Sequence, residues 1–256
     1  MILIIVSAST IVCPALSQPI SAKDLTYITE QFPPYNFEKD GRLQGISVDL
    51  INLVWERLGV NLNTSSIKLL PWTEGYQKAL SEPNTVLFST ARLPQREQLF
   101  KWAGPIGPIR NVLLAKRNSS ISIEGADDLK EYRIGAVKDD SAVQMLFDKG
   151  AKKEDLILET DTSSIIKMLQ NGSIDAWAYG DAAGLWLIQE SGANVSDFRV
   201  VYVLGEIDYY YAFNKETPDS IEQSFQSALD YVKNKKDAEG VTAYDGILSK
   251  YLPAML

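Results

Sequence analysis

Four short segments of this chain carry charged, polar and aromatic residues directly after apolar, strand-like runs. An arginine can bind a carboxylate through its planar guanidinium, a carboxylate can bind an ammonium group, and aromatic rings can enclose an apolar stem. Together these residue types could bind a small zwitterion. The segments contain Glu30 and Phe32, residues 91–96, residues 138–141, and Gly180 with Asp181.

The composition excludes several kinds of catalytic and metal site. The chain has 256 residues, no histidine and one cysteine. Catalytic triads with histidine, HExxH zinc sites and histidine proton shuttles are therefore impossible. One cysteine allows neither an intrachain disulfide nor a multi-cysteine metal site. A formal net charge of −8 is also unlike the basic surface of duplex nucleic-acid binders. We expect no cofactor and no nucleic-acid partner.

Strand-like and helix-like patterns alternate along the chain. This alternation predicts an α/β fold with a mostly parallel sheet, in which ligands bind beyond the carboxyl ends of the strands. The length favours roughly two domains, at about 150 residues each. We expect strands at 25–29, 85–89, 111–115, 132–137, 156–159, 174–179, 200–204 and 209–213, and helices at 48–58, 141–149, 163–170, 182–190, 220–233 and 243–251. The first of these helices has Ser47 as its expected N-cap, and its apolar face is Val48, Ile51, Val54, Trp55 and Leu58.

The first 17 residues have the character of a signal peptide. Residues 1–17 contain no charged side chain, and their apolar run is shorter than the roughly 20 residues that span a bilayer. The small residues Ala15 and Ser17 suit cleavage by a signal peptidase. The usual basic region is missing, so the natural start of the chain stays open. A buried first strand is the alternative, and Val12 disfavours a lipid anchor on Cys13. We expect a periplasmic or other extracytoplasmic location.

Six short motifs follow one another along the chain, each unspecific by itself. In this order and spacing they resemble the family-3 solute-binding proteins, the periplasmic receptors for polar amino acids, over about residues 24–252. The motifs are 32–35 (FPPY), 45–50 (GISVDL), 57–60 (RLGV), 93–96 (LPQR), 100–103 (FKWA) and 250–252 (KYL).

The resemblance implies a periplasmic-binding-protein-like fold of type II. In that fold two α/β lobes are joined by two crossing strands, and the ligand cleft between them closes by a hinge motion. Carried onto this chain, lobe 1 is residues 24–108 plus 214–256 and lobe 2 is residues 109–213. The crossings would lie near residues 105–110 and 212–216.

The resemblance also implies ligand-binding roles for individual residues. Arg96 matches the arginine that pairs with the ligand α-carboxylate, and its planar fork allows two parallel hydrogen bonds. Ser89 and Ala91 match positions that touch the ligand head group. Phe32 and Trp72 match aromatic residues that enclose the ligand, although a core role is equally expected for Trp72. Glu30, after the first strand, could bind the ligand amine or side chain.

Residues 139–141 depart from the family pattern. The family usually has Gly-Thr-Thr or Gly-Thr-Ser here and donates to the carboxylate, whereas this chain has Asp139, Asp140 and Ser141. Two carboxylates would repel an anionic head group unless they cap a helix, while Ser141 keeps a donor. Arg92 could add a cation to the cleft or pair with Asp139 or Asp140. Whether the ligand is a standard α-amino acid stays open.

A second departure concerns the acid that binds the ligand ammonium group. In the family it lies five residues after the position of Asp175, where this chain has Gly180. Asp181 comes one residue later, and in a strand such a shift turns a side chain to the opposite face. We therefore keep Asp181 as a candidate and add Tyr179, which could line the cleft instead.

Two classes of function remain. The resemblance favours a monomeric, non-enzymatic receptor that delivers an amino acid or a related carboxylate to a membrane ABC permease or to a sensor. The alternative is an enzyme of the same fold, such as a cyclohexadienyl dehydratase. Without histidine its acid or base would be Asp, Glu, Lys or Tyr, and Glu30 is the best-placed carboxylate.

Overall fold

One eight-stranded sheet runs through the protein, with helices packed on it. The computed structural model describes residues 20–252, so the predicted signal peptide at 1–17 lies outside the described residues. The strands are β1 (Thr26–Thr29), β2 (Phe37–Lys39), β3 (Arg42–Gln44), β4 (Ile67–Leu69), β5 (Thr85–Ala91), β6 (Phe100–Lys116), β7 (Ile134–Val137), β8 (Leu156–Glu159), β9 (Ala176–Gly180) and β10 (Phe198–Asn214). The helices are α1 (Ile46–Arg57), α2 (Trp72–Ser81), α3 (Ser141–Asp148), α4 (Thr162–Asn171), α5 (Asp181–Glu190), α6 (Asp219–Asn234) and α7 (Ala243–Tyr251).

The sheet consists of two parallel groups on either side of a central antiparallel pair. Its strand order is β4-β1-β5-β10-β6-β9-β7-β8. β1 is parallel to β4 and β5, and β7 is parallel to β8 and β9. β10 is antiparallel to β5 and β6, and β6 is antiparallel to β9. The predicted α/β fold with a largely parallel sheet is confirmed, and its centre is antiparallel.

The two long central strands connect the first half of the sheet, which contains β4, β1 and β5, to the second half, which contains β9, β7 and β8. β6 and β10 each have 17 residues and pair from Phe198 opposite Lys116 to Asn214 opposite Phe100. β6 joins β9 through residues 111–115, whereas β10 joins β5 through residues 209–213. Because β10 already belongs to the first half at Tyr209, we propose that the second crossing lies before residue 209, not at 212–216. The lobe boundaries otherwise stay a prediction.

Helix α1 packs against strand β1. Its predicted apolar face is buried, and Trp55 packs edge-on against Tyr27 with ring centroids 4.8 Å apart. The predicted N-cap at Ser47 is wrong, because the helix begins at Ile46 with Gly45 as N-cap. Gly45 has φ 127° and a Cβ there would lie 2.3 Å from the Tyr35 carbonyl oxygen, so this turn requires glycine.

Strand β5 is buried along its whole length, as expected for a parallel strand covered on both faces. The helices of residues 20–252 are too short or too polar to span a membrane.

Candidate functional site

Two cavities lie between the halves of the sheet, beyond the carboxyl ends of β1, β5, β7 and β8. Their volumes are about 300 Å³ and about 560 Å³, and together we call them the cleft. Residues from both halves line each cavity. The smaller cavity is lined by Glu30, Trp72, Val137 and Asp161, among others, and the larger by Tyr76, Arg96, Asp140 and Val143.

Arg96 bridges the two halves at the cleft. Its side chain is buried and donates to the Ala91 carbonyl oxygen at 3.2 Å and to the Asp139 carbonyl oxygen at 2.5 Å. The guanidinium carbon lies 5.4 Å from the ring centroid of Trp72 and 5.1 Å from that of Tyr76, and these two rings are stacked. None of the ion pairs within residues 20–252 involves Arg96, so its charge is available to an anionic group.

Two carboxyl groups share this region with Arg96. Glu30 follows β1 and is 8% exposed, and Asp140 follows β7 and is 6% exposed. The carboxylate of Asp140 caps α3 by accepting from the Ala142 N–H at 2.7 Å. Burial raises the pKa of Asp140 from 3.8 to about 6, although this bond and the charge of Arg96 oppose the rise. Burial and the charge of Asp140 raise the pKa of Glu30 well above its usual value.

Buried hydroxyl and amide side chains are hydrogen-bonded to one another in both halves of the protein. Ser89 Oγ lies 2.7 Å from Ser47 Oγ and also donates to the Asn36 side-chain oxygen. On the other half, Asn111 Nδ2 donates to Ser141 Oγ at 3.0 Å. Ser89 and Ser141 are both buried, and each already has a protein partner. Ser89 has φ 61°, a left-handed conformation that is uncommon for serine.

Phe32, Tyr179 and Tyr209 form a buried aromatic cluster. The ring of Phe32 lies 5.3 Å from that of Tyr179 and 5.4 Å from that of Tyr209, centroid to centroid. The position of the Phe32 ring also explains why residue 180 is glycine, since a Cβ there would lie 2.9 Å from Phe32 Cζ. The ring thus takes the space in which the expected family acid would begin.

Three buried polar atoms around the cleft have no hydrogen-bond partner within the described chain. They are the Tyr179 hydroxyl, the Trp72 Nε1 and the Asn111 side-chain oxygen. An unsatisfied buried polar atom costs about 1–3 kcal/mol, so a polar ligand that paired with these atoms would gain by it. Five further buried polar atoms of the described residues also lack a partner, among them the Nε1 atoms of Trp55 and Trp177.

Arg92 lies outside the cleft. Its guanidinium forms two hydrogen bonds with the Glu97 carboxylate, at 2.8 Å and 2.6 Å, and lies 5.3 Å from the Tyr210 ring centroid. The expected pairing of Arg92 with Asp139 or Asp140 is therefore wrong. A carboxylate five residues along the same loop is nearer than one across the cleft.

Asp181 is also occupied elsewhere. As the first residue of α5 it accepts from Arg110 Nε at 2.7 Å, and Arg110 Nη2 lies 2.6 Å from the same oxygen. This pair borders a separate cavity of about 490 Å³, lined also by Tyr35 and Tyr244. The carboxylate of Asp181 is thus committed to Arg110, and we no longer expect it to bind the ligand.

Three of the ten candidate residues, Glu30, Trp72 and Arg96, line the cleft, and the ligand contacts of all the candidates stay a prediction. Sequence reasoning missed Tyr76, which lines the larger cavity. It also missed three residues that contact candidate residues, namely Asn36, Asn111 and Tyr209. Tyr76 follows Trp72 by one helical turn, a spacing that could have identified it. Asn111 and Tyr209 lie in the long strands, and only pairing across the sheet brings them to the site. Within residues 20–252 no cluster of acidic or cysteine side chains could hold a metal ion.

Comparison with known proteins is consistent with this architecture. Residues 25–183, more than half of the chain, match the bacterial extracellular solute-binding proteins, family 3. A probable histidine-binding protein of Campylobacter jejuni is 23% identical over 226 residues, which are 86% of this chain and 81% of that protein.

Solved structures show the same fold at low sequence identity. A histidine kinase sensor domain with similarity to periplasmic binding proteins has a TM-score of 0.75 and 21% identity, over 89% of this chain and 96% of that one. The arginine-, lysine-, histidine-binding protein ArtJ of Geobacillus stearothermophilus has a TM-score of 0.73 and 19% identity, over 90% and 95%. A histidine-bound ABC uptake transporter substrate-binding protein of Streptococcus pneumoniae has a TM-score of 0.72 and 17% identity, over 89% and 92%. The predicted periplasmic-binding-protein-like fold is confirmed.

Proposed function

The chain belongs to the bacterial extracellular solute-binding proteins of family 3, and on this premise we propose that it binds a small polar ligand in the cleft. The ligand is an amino acid or a related carboxylate, and the protein is a receptor, not an enzyme. It works outside the cytoplasm, where it delivers its ligand to an ABC permease or a sensor. The two halves of the sheet act as lobes that close on the ligand.

One observation carries this proposal. Arg96 is 6% exposed, contacts both halves of the protein and has no ion-pair partner within residues 20–252. The planar fork of the guanidinium is suited to two parallel hydrogen bonds with a ligand carboxylate between the halves. The same contact would hold the two halves together, which is how ligand binding would favour the closed form.

The relatives support a receptor role. The names of the three solved proteins describe a sensor domain and two substrate-binding proteins, one of which serves an ABC uptake transporter. The Campylobacter protein is named for histidine binding. Both destinations, permease and sensor, therefore occur among proteins of this fold.

A ligand screen tests the proposal. Purified protein would be melted with each amino acid and with a set of small carboxylates, and hits would be measured by calorimetry. At one hundred times the dissociation constant, a ligand stabilises the folded protein by about 2.7 kcal/mol. If no compound raises the melting temperature, the proposed function is refuted. Turnover of a prephenate-like acid would instead establish the enzyme.

Two variants locate the ligand carboxylate. Arg96→Ala should weaken binding at least about tenfold, because a charged hydrogen bond contributes roughly 1.5–3 kcal/mol. Arg96→Lys keeps the charge but loses the fork, and so checks that any loss is not a folding defect. Arg42→Ala, in exposed strand β3, is the control. Unchanged affinity in a folded Arg96→Ala variant would contradict the assignment.

A further inference from the structure

Strand β5 contains a bulge near its carboxyl end. In its pairing with β10, Phe88 lies opposite Tyr211 and Thr90 lies opposite Tyr210, so Ser89 is an extra residue without a partner across the sheet. Ser89 has φ 61°. Bulges bend the strand that contains them and are common beside binding sites, and glycine is the residue that adopts a left-handed conformation without strain. A serine in this place therefore needs other interactions to hold it.

Buried hydrogen bonds hold the Ser89 side chain. Its Oγ donates to the Asn36 side-chain oxygen and lies 2.7 Å from Ser47 Oγ. Because the single hydroxyl proton of Ser89 is given to Asn36, Ser47 is the donor in the second bond. Asn36 Nδ2 in turn donates to the Glu30 backbone oxygen at 2.7 Å. The Tyr211 hydroxyl donates to the Ser47 backbone oxygen at 2.8 Å. Asn36, Ser47 and Ser89 are at most 3% exposed, so these bonds are shielded from water.

The Ser89 hydroxyl is directed to residues of the first half and not to the cleft. It donates one hydrogen bond and accepts another, and Ser89 lines neither cavity of the cleft. The chain that follows the bulge does reach the cleft. The Ala91 carbonyl oxygen accepts from Arg96 Nη1 at 3.2 Å, and Arg96 lines the larger cavity. The direction in which the bulge turns β5 therefore helps to set the position of the Arg96 guanidinium.

We propose that Ser89 is a positioning residue, whose hydroxyl, held by Asn36 and Ser47, keeps the bulge left-handed and so aims Arg96 into the cleft. The inference rests on the proposed ligand-binding function and assigns a role in it to side chains that do not touch the ligand. Without the two hydrogen bonds, an L-residue at position 89 favours other backbone conformations. The binding-competent form then becomes a minor one, and the apparent affinity falls in proportion to its population.

Two substitutions at position 89 separate positioning from direct contact. Ser89→Ala and Ser89→Gly both remove the hydroxyl and its two hydrogen bonds. Glycine adopts positive φ about as readily as negative φ, whereas alanine does not. We expect Ser89→Ala to bind at least about tenfold more weakly than the parent protein, and Ser89→Gly to bind within about threefold of it. A direct bond between the hydroxyl and the ligand would instead impair both variants alike.

The Ser47 anchor gives an independent test. Ser47→Ala removes one of the two hydrogen bonds and should weaken binding about threefold to tenfold. Adding Ser89→Gly to Ser47→Ala should return the affinity to within about threefold of the parent protein, because glycine needs no anchor there. Thr85→Val is the matched control. Thr85 lies in the same strand and is 1% exposed, and its hydroxyl has no partner among the described residues, so this variant should bind like the parent protein.

Two measurements read the outcome. Calorimetry with each standard L-amino acid and with the small carboxylates of the screen gives the affinities. Crystal structures of the ligand-free variants show the backbone at position 89 and the Arg96 guanidinium, and they need no ligand. In Ser89→Ala we expect residue 89 to leave the left-handed region and Arg96 to lose its bond to the Ala91 carbonyl oxygen. In Ser89→Gly we expect both to be kept.

The outcomes separate this inference from the function on which it rests. Equal losses in Ser89→Ala and Ser89→Gly, no loss in either, or no recovery of Ser47→Ala by Ser89→Gly would refute the positioning role and leave the receptor function standing. If none of the compounds binds the parent protein, the receptor function is refuted. The ligand-free structures then decide the role of the bulge, and an unchanged bulge and Arg96 in Ser89→Ala would refute it.

Discussion

Asp140→Asn should make the ligand-free protein more stable at neutral pH. In the folded protein, burial raises the pKa of Asp140 from 3.8 to about 6. A pKa difference of about two units corresponds to about 3 kcal/mol, at 1.36 kcal/mol per unit. This is the order of the free-energy cost of keeping the Asp140 carboxylate ionised in the cleft.

The sign of the pH dependence follows from proton binding. Between about pH 4 and pH 6 the folded protein holds a proton on Asp140 that the unfolded chain has lost. The free energy of unfolding therefore falls as the pH rises through this window and reaches its lower plateau above the folded pKa. Asparagine carries no charge and caps helices as well as aspartate does, so the variant avoids this cost and keeps the bond to the Ala142 N–H.

We expect Asp140→Asn to be more stable than the parent by about 2 kcal/mol at pH 7.5, after about 0.5 kcal/mol for the lost interaction with the helix dipole. At pH 4 the two proteins should differ little. For a chain of this size that is a rise of roughly 4–8 °C in melting temperature. The assay is calorimetric melting of the ligand-free proteins at pH 4, 5, 6 and 7.5.

Asp161→Asn is the matched control, since Asp161 caps α4 as Asp140 caps α3. Hydrogen bonds from Ser163 and Ser164 lower the pKa of Asp161, so its charge stabilises the fold and the amide should be neutral or less stable at pH 7.5. If Asp140→Asn were no more stable than the parent at pH 7.5, while Asp161→Asn behaved as stated, the buried-charge reasoning would be refuted.

Two further predictions follow from the cleft. Glu30→Gln should also raise the melting temperature of the ligand-free protein at pH 7.5, because burial and Asp140 raise the pKa of the Glu30 carboxyl; an unchanged or lower value would contradict this. Gly180→Ala should lower the free energy of unfolding by about 1–3 kcal/mol in denaturant melts, because its Cβ would lie 2.9 Å from Phe32 Cζ. Gly125→Ala is the control and should have no such effect, because a Cβ there has no neighbour within 4 Å. Equal stability of the two variants would show that the Phe32 ring moves aside.

Much of the fold could be predicted from local pattern. The spacing of Val48, Ile51, Val54 and Trp55 predicted the buried face of α1, and the alternation of strands and helices predicted the α/β class, since periodicity depends only on neighbouring residues. Helix α2 was missed, although Trp72, Tyr76 and Ala79 follow the i, i+4, i+7 spacing of one buried helix face.

The candidate site was predicted only in part. Motif spacing placed Arg96 and Glu30 in a cleft, and the structure buries both there. The roles of charged groups were harder to infer, because each depends on which partner arrives from elsewhere. Asp181 is paired with Arg110, 71 residues away in the chain, and Arg92 with Glu97 in its own loop.

The sequence by itself determined which chemistry was impossible: without histidine and with one cysteine, the catalytic and metal sites that need those side chains could not form. It also determined the order of elements and the loops that carry polar residues. Tertiary structure alone decided the electrostatics of the cleft. Glu30 and Asp140 are ordinary acids in the chain, and their pKa values rise only because the folded halves bury both carboxyl groups away from water. Burial is a property of the assembled surface, so local sequence does not contain it.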